Sequence, residues 1–205
     1  MRTIQFITLA LATALSSITY GQDINDQIRA SLQAQAELDS SFADRSESPL
    51  TESDFKNFTS LPFFPVDTNW IVECTLIRTP DSEPFEMPTS TNRRPVYRVF
   101  GELHFTYGDS SLVLNVYQNL DLIKRPGFED YLFLPFGDET NGNSTYGGGR
   151  YLDLRIPEGD TIVVDFNRCY HPLCAYNNRY SCPKIPFENI LNVPIKAGVK
   201  YEGHH

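Results

Sequence analysis

Three of the chain's four cysteines fall inside DFNRCYHPLCAYNNRYSCP, Asp165 to Pro183, beside a histidine, three asparagines and two prolines. Such a set supports three chemistries. A disulfide between Cys174 and Cys182 would close a short loop and stabilise it by roughly 2.5 kcal/mol. A zinc knuckle would use Cys169, His171, Cys174 and Cys182 as soft sulfur and nitrogen ligands, although the paired C-x-x-C spacing is missing. A catalytic thiol would be Cys174, with His171 as base and Arg168 or Arg179 favouring the thiolate. Pro172 fixes the backbone between that base and nucleophile, and nucleophiles usually meet their base across a fold. The bridge therefore ranks first, zinc second and the thiol third; four cysteines allow three full pairings, so the partners of Cys74 and Cys169 stay open.

A second constellation is TYGGGR, Thr145 to Arg150. Consecutive N–H groups at Gly147, Gly148 and Gly149 can form a concave anion nest, and Arg150 adds a bidentate donor. A phosphate-binding P-loop is excluded, because no Gly-Lys-Ser/Thr ending follows. The plainer alternative is a loop that needs glycine for positive φ, with Arg150 paired to Asp165 or to a sheet edge. Two functional classes follow. One is a module binding a small polar or anionic ligand through Tyr146, Gly147, Gly148, Gly149, Arg150, Asp165, Asn167 and Tyr170. The other is a hydrolase-like enzyme with Asp165 as general base and Arg150 as charge stabiliser. No Ser-His-Asp set or HExxH is visible, which favours binding; a purely structural or surface-interaction role is the third possibility. No cofactor is implied. His104, alternating with Leu103 and Phe105, reads as a solvated strand histidine.

These residues must be positioned by strands. Tyr131–Phe136, Arg150–Ile156 and Thr161–Asn167 alternate or run apolar, and the last two are joined by the short PEGD link. As an antiparallel meander they would bring GDETNGNSTYGGG and the cysteine loop to the same end. Upstream, Trp70–Ile77 alternates, and VYRVFGELHFTY and SLVLNVYQ flank Gly108-Asp109 as a hairpin. Asp23–Phe42 places Ile24, Ile28, Leu32 and Leu38 near helical spacing with Asp23 as N-cap, and Thr51 with Asp54 caps a short second helix. The expected fold is mainly β, an antiparallel sandwich or partly closed barrel with an N-terminal α-helix.

Met1–Gln22 carries Arg2, an apolar run from Ile4 to Leu15, and small or polar residues to Gly21 and Gln22, the form of a cleaved export signal. Residues 23–60 are then a helical segment and linker, and residues 61–205 the β domain, forming one unit in the periplasm or outside the cell. Export to an oxidising compartment is what favours the bridge. No later stretch is long and apolar enough to span a bilayer. The net charge of −9 disfavours nucleic acid as a partner, leaving an unidentified small ligand.

SPL at Ser48, LPFFPVD, MPTS at Met87, FGELHFTYG, FGDETNGNSTYGGGRYLDL, the cysteine stretch and ENILNVPIKAGVKYE together resemble the bacterial and archaeal family known as domain of unknown function 1684. The resemblance spans nearly all of the chain after the signal. It implies an all-β domain, with Tyr146, Gly147, Gly149, Arg150, Asp165, Phe166, Asn167, Pro172, Cys174, Cys182, Pro183, Asn189, Ala197 and Gly198 inside the family's motifs. It implies no activity. Cys169 and His171 stand where that pattern has alanine and asparagine.

Overall fold

The computed structural model describes the backbone from Gln5 to Tyr201, with side chains from Asp23 onward. The export signal expected over Met1–Gln22 thus falls on residues whose side chains are not described. The strands are β1 (Ile71–Arg78), β2 (Phe85–Glu86), β3 (Val96–Tyr107), β4 (Ser110–Asn119), β5 (Tyr131–Phe136), β6 (Arg150–Arg155) and β7 (Thr161–Asp165). They form one antiparallel sheet in the order β6-β5-β4-β3-β1-β7, with β2 added on β3. All six strands of that path send one face into a single core that includes Val72, Leu103, Leu114, Leu134, Leu152 and Val164. One face can converge from every strand only if the sheet curls, and it does so as a half-barrel. A β-bulge between Val99 and Gly101 assists the bend. Gly101 is required there, since a Cβ would lie 2.7 Å from the Ile77 carbonyl oxygen.

Alternation in β1 holds as expected: Trp70, Val72, Cys74 and Leu76 are buried while Glu73, Thr75 and Ile77 face solvent. The expected meander does not form. Strand β7 pairs with β1, not with β6. The reason lies in the PEGD link, whose Pro157 and Gly159 carbonyls accept from the Arg78 guanidinium at the end of β1. Asp160 adds a carbonyl that accepts from the Leu76 N–H. The link is thereby held to the opposite edge of the sheet. Strands β6 and β7 end up facing each other across an open seam, bridged at one point by Tyr151 and Tyr170. Five antiparallel steps still separate β6 from β7, so they run in opposite directions. The two unusual loops therefore share one end of the sheet even though the pairing that suggested it is absent.

Helix α1 spans Gln5–Ala43, so Asp23 lies within it and is not its N-cap. Its buried positions are Ser31, Gln35 and Phe42, whereas Leu32 is 52% exposed. The middle of the helix docks by polar contacts, Ser31 Oγ donating to Asp165 Oδ2 at 2.6 Å and Gln35 Nε2 to the Asn167 carbonyl at 2.8 Å, while its end packs Phe42 edge-on against Tyr176. Losing a buried hydrogen bond to a charged group costs about 1.5–3 kcal/mol. Ser31→Ala is accordingly expected to loosen α1 by about 1.5 kcal/mol, read as faster limited proteolysis of the helix while the sheet stays resistant. Helix α2 (Glu52–Asn57) is capped as expected, with Thr51 Oγ1 accepting from the Asp54 N–H.

Candidate functional site

At the loop end, Arg150 is fully buried. Its Nη2 donates to Asp138 Oδ2 and to the Ile195 carbonyl, each at 2.7 Å, and its Nη1 donates to the Ala197 carbonyl. The guanidinium lies over the Phe136 ring, 5.2 Å from its centroid. Asp138 Oδ1 in turn accepts from the N–H and hydroxyl of Thr140 and from the Ile195 N–H. Arg150 is thus a rivet between the 137–149 loop and the C-terminal segment. The ion pair expected with Asp165 is formed with Asp138 instead, because Asp138 is pinned beside the arginine by its own turn. Gly149, at φ +81°, closes a separate turn onto the Tyr146 carbonyl just before the arginine, and a Cβ there would meet the Phe136 carbonyl at 2.6 Å.

Asp165 and Asn167 are occupied elsewhere. Asp165 Oδ1 accepts from the N–H and side-chain amide of Asn167, while Oδ2 takes Ser31. Asn167 is buried and clamps the Asp67 backbone, accepting from its N–H and donating to its carbonyl, each at 2.9 Å. Asp165 and Arg150 therefore serve different junctions, and the hydrolase pair is not assembled.

The cysteine stretch divides in the same way. Cys169 is fully buried with its Sγ directed at the Ala197 carbonyl, and burial raises its pKa to about 11. Cys74 is likewise buried, with its pKa raised to about 12. His171 Nε2 accepts from the Tyr146 N–H at 3.2 Å, which puts the ring proton on Nδ1, facing the Tyr176 hydroxyl. Burial, aided by nearby Arg150, lowers its pKa to about 3. Among the described residues no three His, Cys, Asp or Glu side chains converge to hold a metal, so the zinc set is dispersed. All four cysteines are free thiols, and the expected Cys174–Cys182 bridge is not formed. The two are nonetheless neighbours, with the Cys174 N–H donating to Cys182 Sγ at 3.2 Å. They line a pocket of about 500 Å³ with Tyr146, Gly147, Gly148, Ser90 and Lys184.

A larger cleft, about 900 Å³, occupies the seam between β6 and β7. One wall is a single face of α1, formed by Gln27, Ala30, Ala34, Glu37 and Ser41, whose alanines leave room. The other wall is aromatic. Tyr131 and Tyr170 both donate their hydroxyl protons to Asp153 Oδ1, at 2.6 and 2.8 Å. Burial first, and the adjacent Asp153 second, push both phenol pKa values up, so the rings stay neutral donors. Of the sequence-derived candidates, Tyr170, Asp165, Arg168 and Cys182 reach this cleft. Tyr146, Gly147, Gly148, Gly149, Cys174 and Cys182 line the smaller pocket, and Arg150 and Asn167 line neither. Asp153 was missed, although its signal was present: alternation along RYLDLR puts it on the same face as Tyr151.

The model of the family described as "Protein of unknown function (DUF1684)" matches residues 56–200. The chain belongs to this family. Both loops, the cysteine stretch and the Arg150 rivet lie inside the matched region, whereas α1 lies before it. A similar solved structure is the solution NMR structure of an uncharacterised protein from gene locus rrnAC0354 of Haloarcula marismortui. It is 30% identical with a TM-score of 0.69, covering 91% of this chain and 99% of that one. No curated protein matches the chain.

Proposed function

We propose that this is an exported binding module that holds a small polar ligand in the β6–β7 cleft. The observation that carries this is the convergence of two neutral tyrosine hydroxyls on one oxygen of exposed Asp153, at the wall of a cavity large enough for a small molecule. The other carboxylate oxygen has no partner among the described residues and is available to a ligand. Glu37, Glu47, Asp153 and Asp165 line the cleft against Arg168 alone. That balance favours a ligand with hydroxyl or ammonium donors over an anion. Tyrosine faces suit either a sugar ring or an alkylammonium group.

Asp153→Asn tests this directly, because the residue is exposed and outside the core. Binding of a panel of neutral monosaccharides and aliphatic diamines, followed by saturation-transfer NMR and calorimetry, is expected to find a ligand whose affinity falls roughly tenfold in the variant, equivalent to about 1.4 kcal/mol. The melting temperature should be unchanged. No binding from either class, or equal binding by wild type and variant, refutes the assignment.

A further inference from the structure

The smaller pocket contains a pair of thiols, of which Cys182 also borders the cleft and Cys174 does not. Cys174 is half-buried at the pocket wall, while Cys182 sits behind it with its sulfur already receiving the Cys174 N–H. The strand-like contact between residues 88–90 and 182–184 fixes this arrangement. Ser90 N–H donates to the Cys182 carbonyl at 2.8 Å, and the Cys182 N–H donates to Ser90 Oγ at 3.1 Å. We propose that Cys174 and Cys182 are a thiol–disulfide exchange pair, Cys174 the attacking sulfur and Cys182 the resolving one.

The surroundings differentiate the two. The Cys182 thiol first, and the Ser90 and Tyr146 hydroxyls after it, favour the Cys174 thiolate. Together these outweigh partial burial and bring its pKa down to about 6. The same contact with Cys174, followed by burial, pushes the Cys182 pKa up, so the single shared proton stays on Cys182. An attacking thiol works best as an accessible thiolate near ambient pH, and its partner should remain protonated until its turn.

The Cys174 thiolate attacks one sulfur of a low-molecular-weight disulfide, forming a mixed disulfide and releasing a thiolate that takes a proton from water. Cys182 then loses its proton to solvent and attacks Cys174 Sγ, forming the Cys174–Cys182 bond and releasing the second thiol. The net change is one disulfide reduced to two thiols and one protein dithiol oxidised. The pocket mouth presents the Lys184 ammonium together with Gly147 and Gly148, whose N–H groups have no acceptor among the described residues. A disulfide bearing carboxylates therefore fits best.

Oxidised glutathione is a suitable probe, with peptide mass spectrometry of the quenched protein as readout. Wild type should pass to an internal Cys174–Cys182 disulfide. Cys182→Ser should stop at glutathione on Cys174, and Cys174→Ser should be modified at least tenfold more slowly. Iodoacetamide should alkylate Cys174 first, with a rate that rises through pH about 6. Cys74 and Cys169, buried and with raised pKa values, should react only after denaturation and so report that the fold is intact. Prior alkylation of Cys182, or a preformed bridge that millimolar reduced glutathione cannot open, would overturn the proposal. Cys182 also borders the Asp153 cleft, so ligand affinity is compared in Cys174→Ser, which touches the smaller pocket alone, and the two assignments then fail separately.

Discussion

Arg150→Met is expected to destabilise the protein by about 3–5 kcal/mol, the cost of leaving one member of a buried ion pair unpaired. The side chain is fully buried, and its removal strands the Asp138 carboxylate together with the Ile195 and Ala197 carbonyls. Methionine preserves much of the volume, so the loss is electrostatic and not a cavity effect. Arg150→Lys should recover little, because an ammonium is a point donor and cannot reproduce the fork that serves three acceptors from two nitrogens. Asp138→Asn in the Arg150→Met background removes the stranded charge, so the double variant should be less unstable than the sum of the singles. A coupling of at least about 1.5 kcal/mol in urea unfolding is expected. If Arg150 were instead a ligand-binding group, Arg150→Met would unfold at the wild-type urea midpoint.

Much of this rivet was visible in the sequence, but its partner was not. Arg150 after a glycine run, at the start of a strand, marks a residue entering the interior at a loop end. Asp165 looked like its partner because an adjacent β7 would have brought the two together. The sheet instead closes through β1, owing to Arg78 gripping the carbonyls of the PEGD link, and tight turns that cross an open seam look like hairpin turns in sequence. The helix failed to follow its pattern for a related reason. Its apolar residues suggested a hydrophobic stripe through Leu32, yet the sheet end offers it Asp165 and the Asn167 carbonyl, so Ser31 and Gln35 are the docking side chains. Local alternation was reliable in β1 and in β3 from Gly101 to Phe105, where one face meets the core. What was not legible were pairings that depend on polar groups far apart in the chain.

His171 provides a pH-dependent measure of how the two loops are joined. Its ring is neutral in the folded protein, with Nε2 holding the Tyr146 N–H and burial resisting a charge. In the unfolded chain it titrates near the ordinary value of 6.5, but in the folded protein only near about 3. Between those values the unfolded state binds the extra proton. The contribution is complete above about pH 6.5 and is lost progressively as pH falls toward about 3. The slope approaches 1.4 kcal/mol per pH unit, giving a loss of about 3 kcal/mol between about pH 7 and pH 4. The exposed carboxylates Asp44 and Asp121, whose pKa values lie below 3.8, enter only at the acid end of this window, so the comparison is made above about pH 4. His171→Asn keeps an acceptor for the Tyr146 N–H and a donor toward Tyr176 but cannot titrate. Below about pH 5, where Cys174 is protonated in the folded and unfolded chain alike, thermal unfolding of the variant should therefore fall much less steeply than that of wild type. An equally steep fall in both proteins would place the proton uptake elsewhere, whereas a flat wild-type profile would show that His171 is already protonated in the fold.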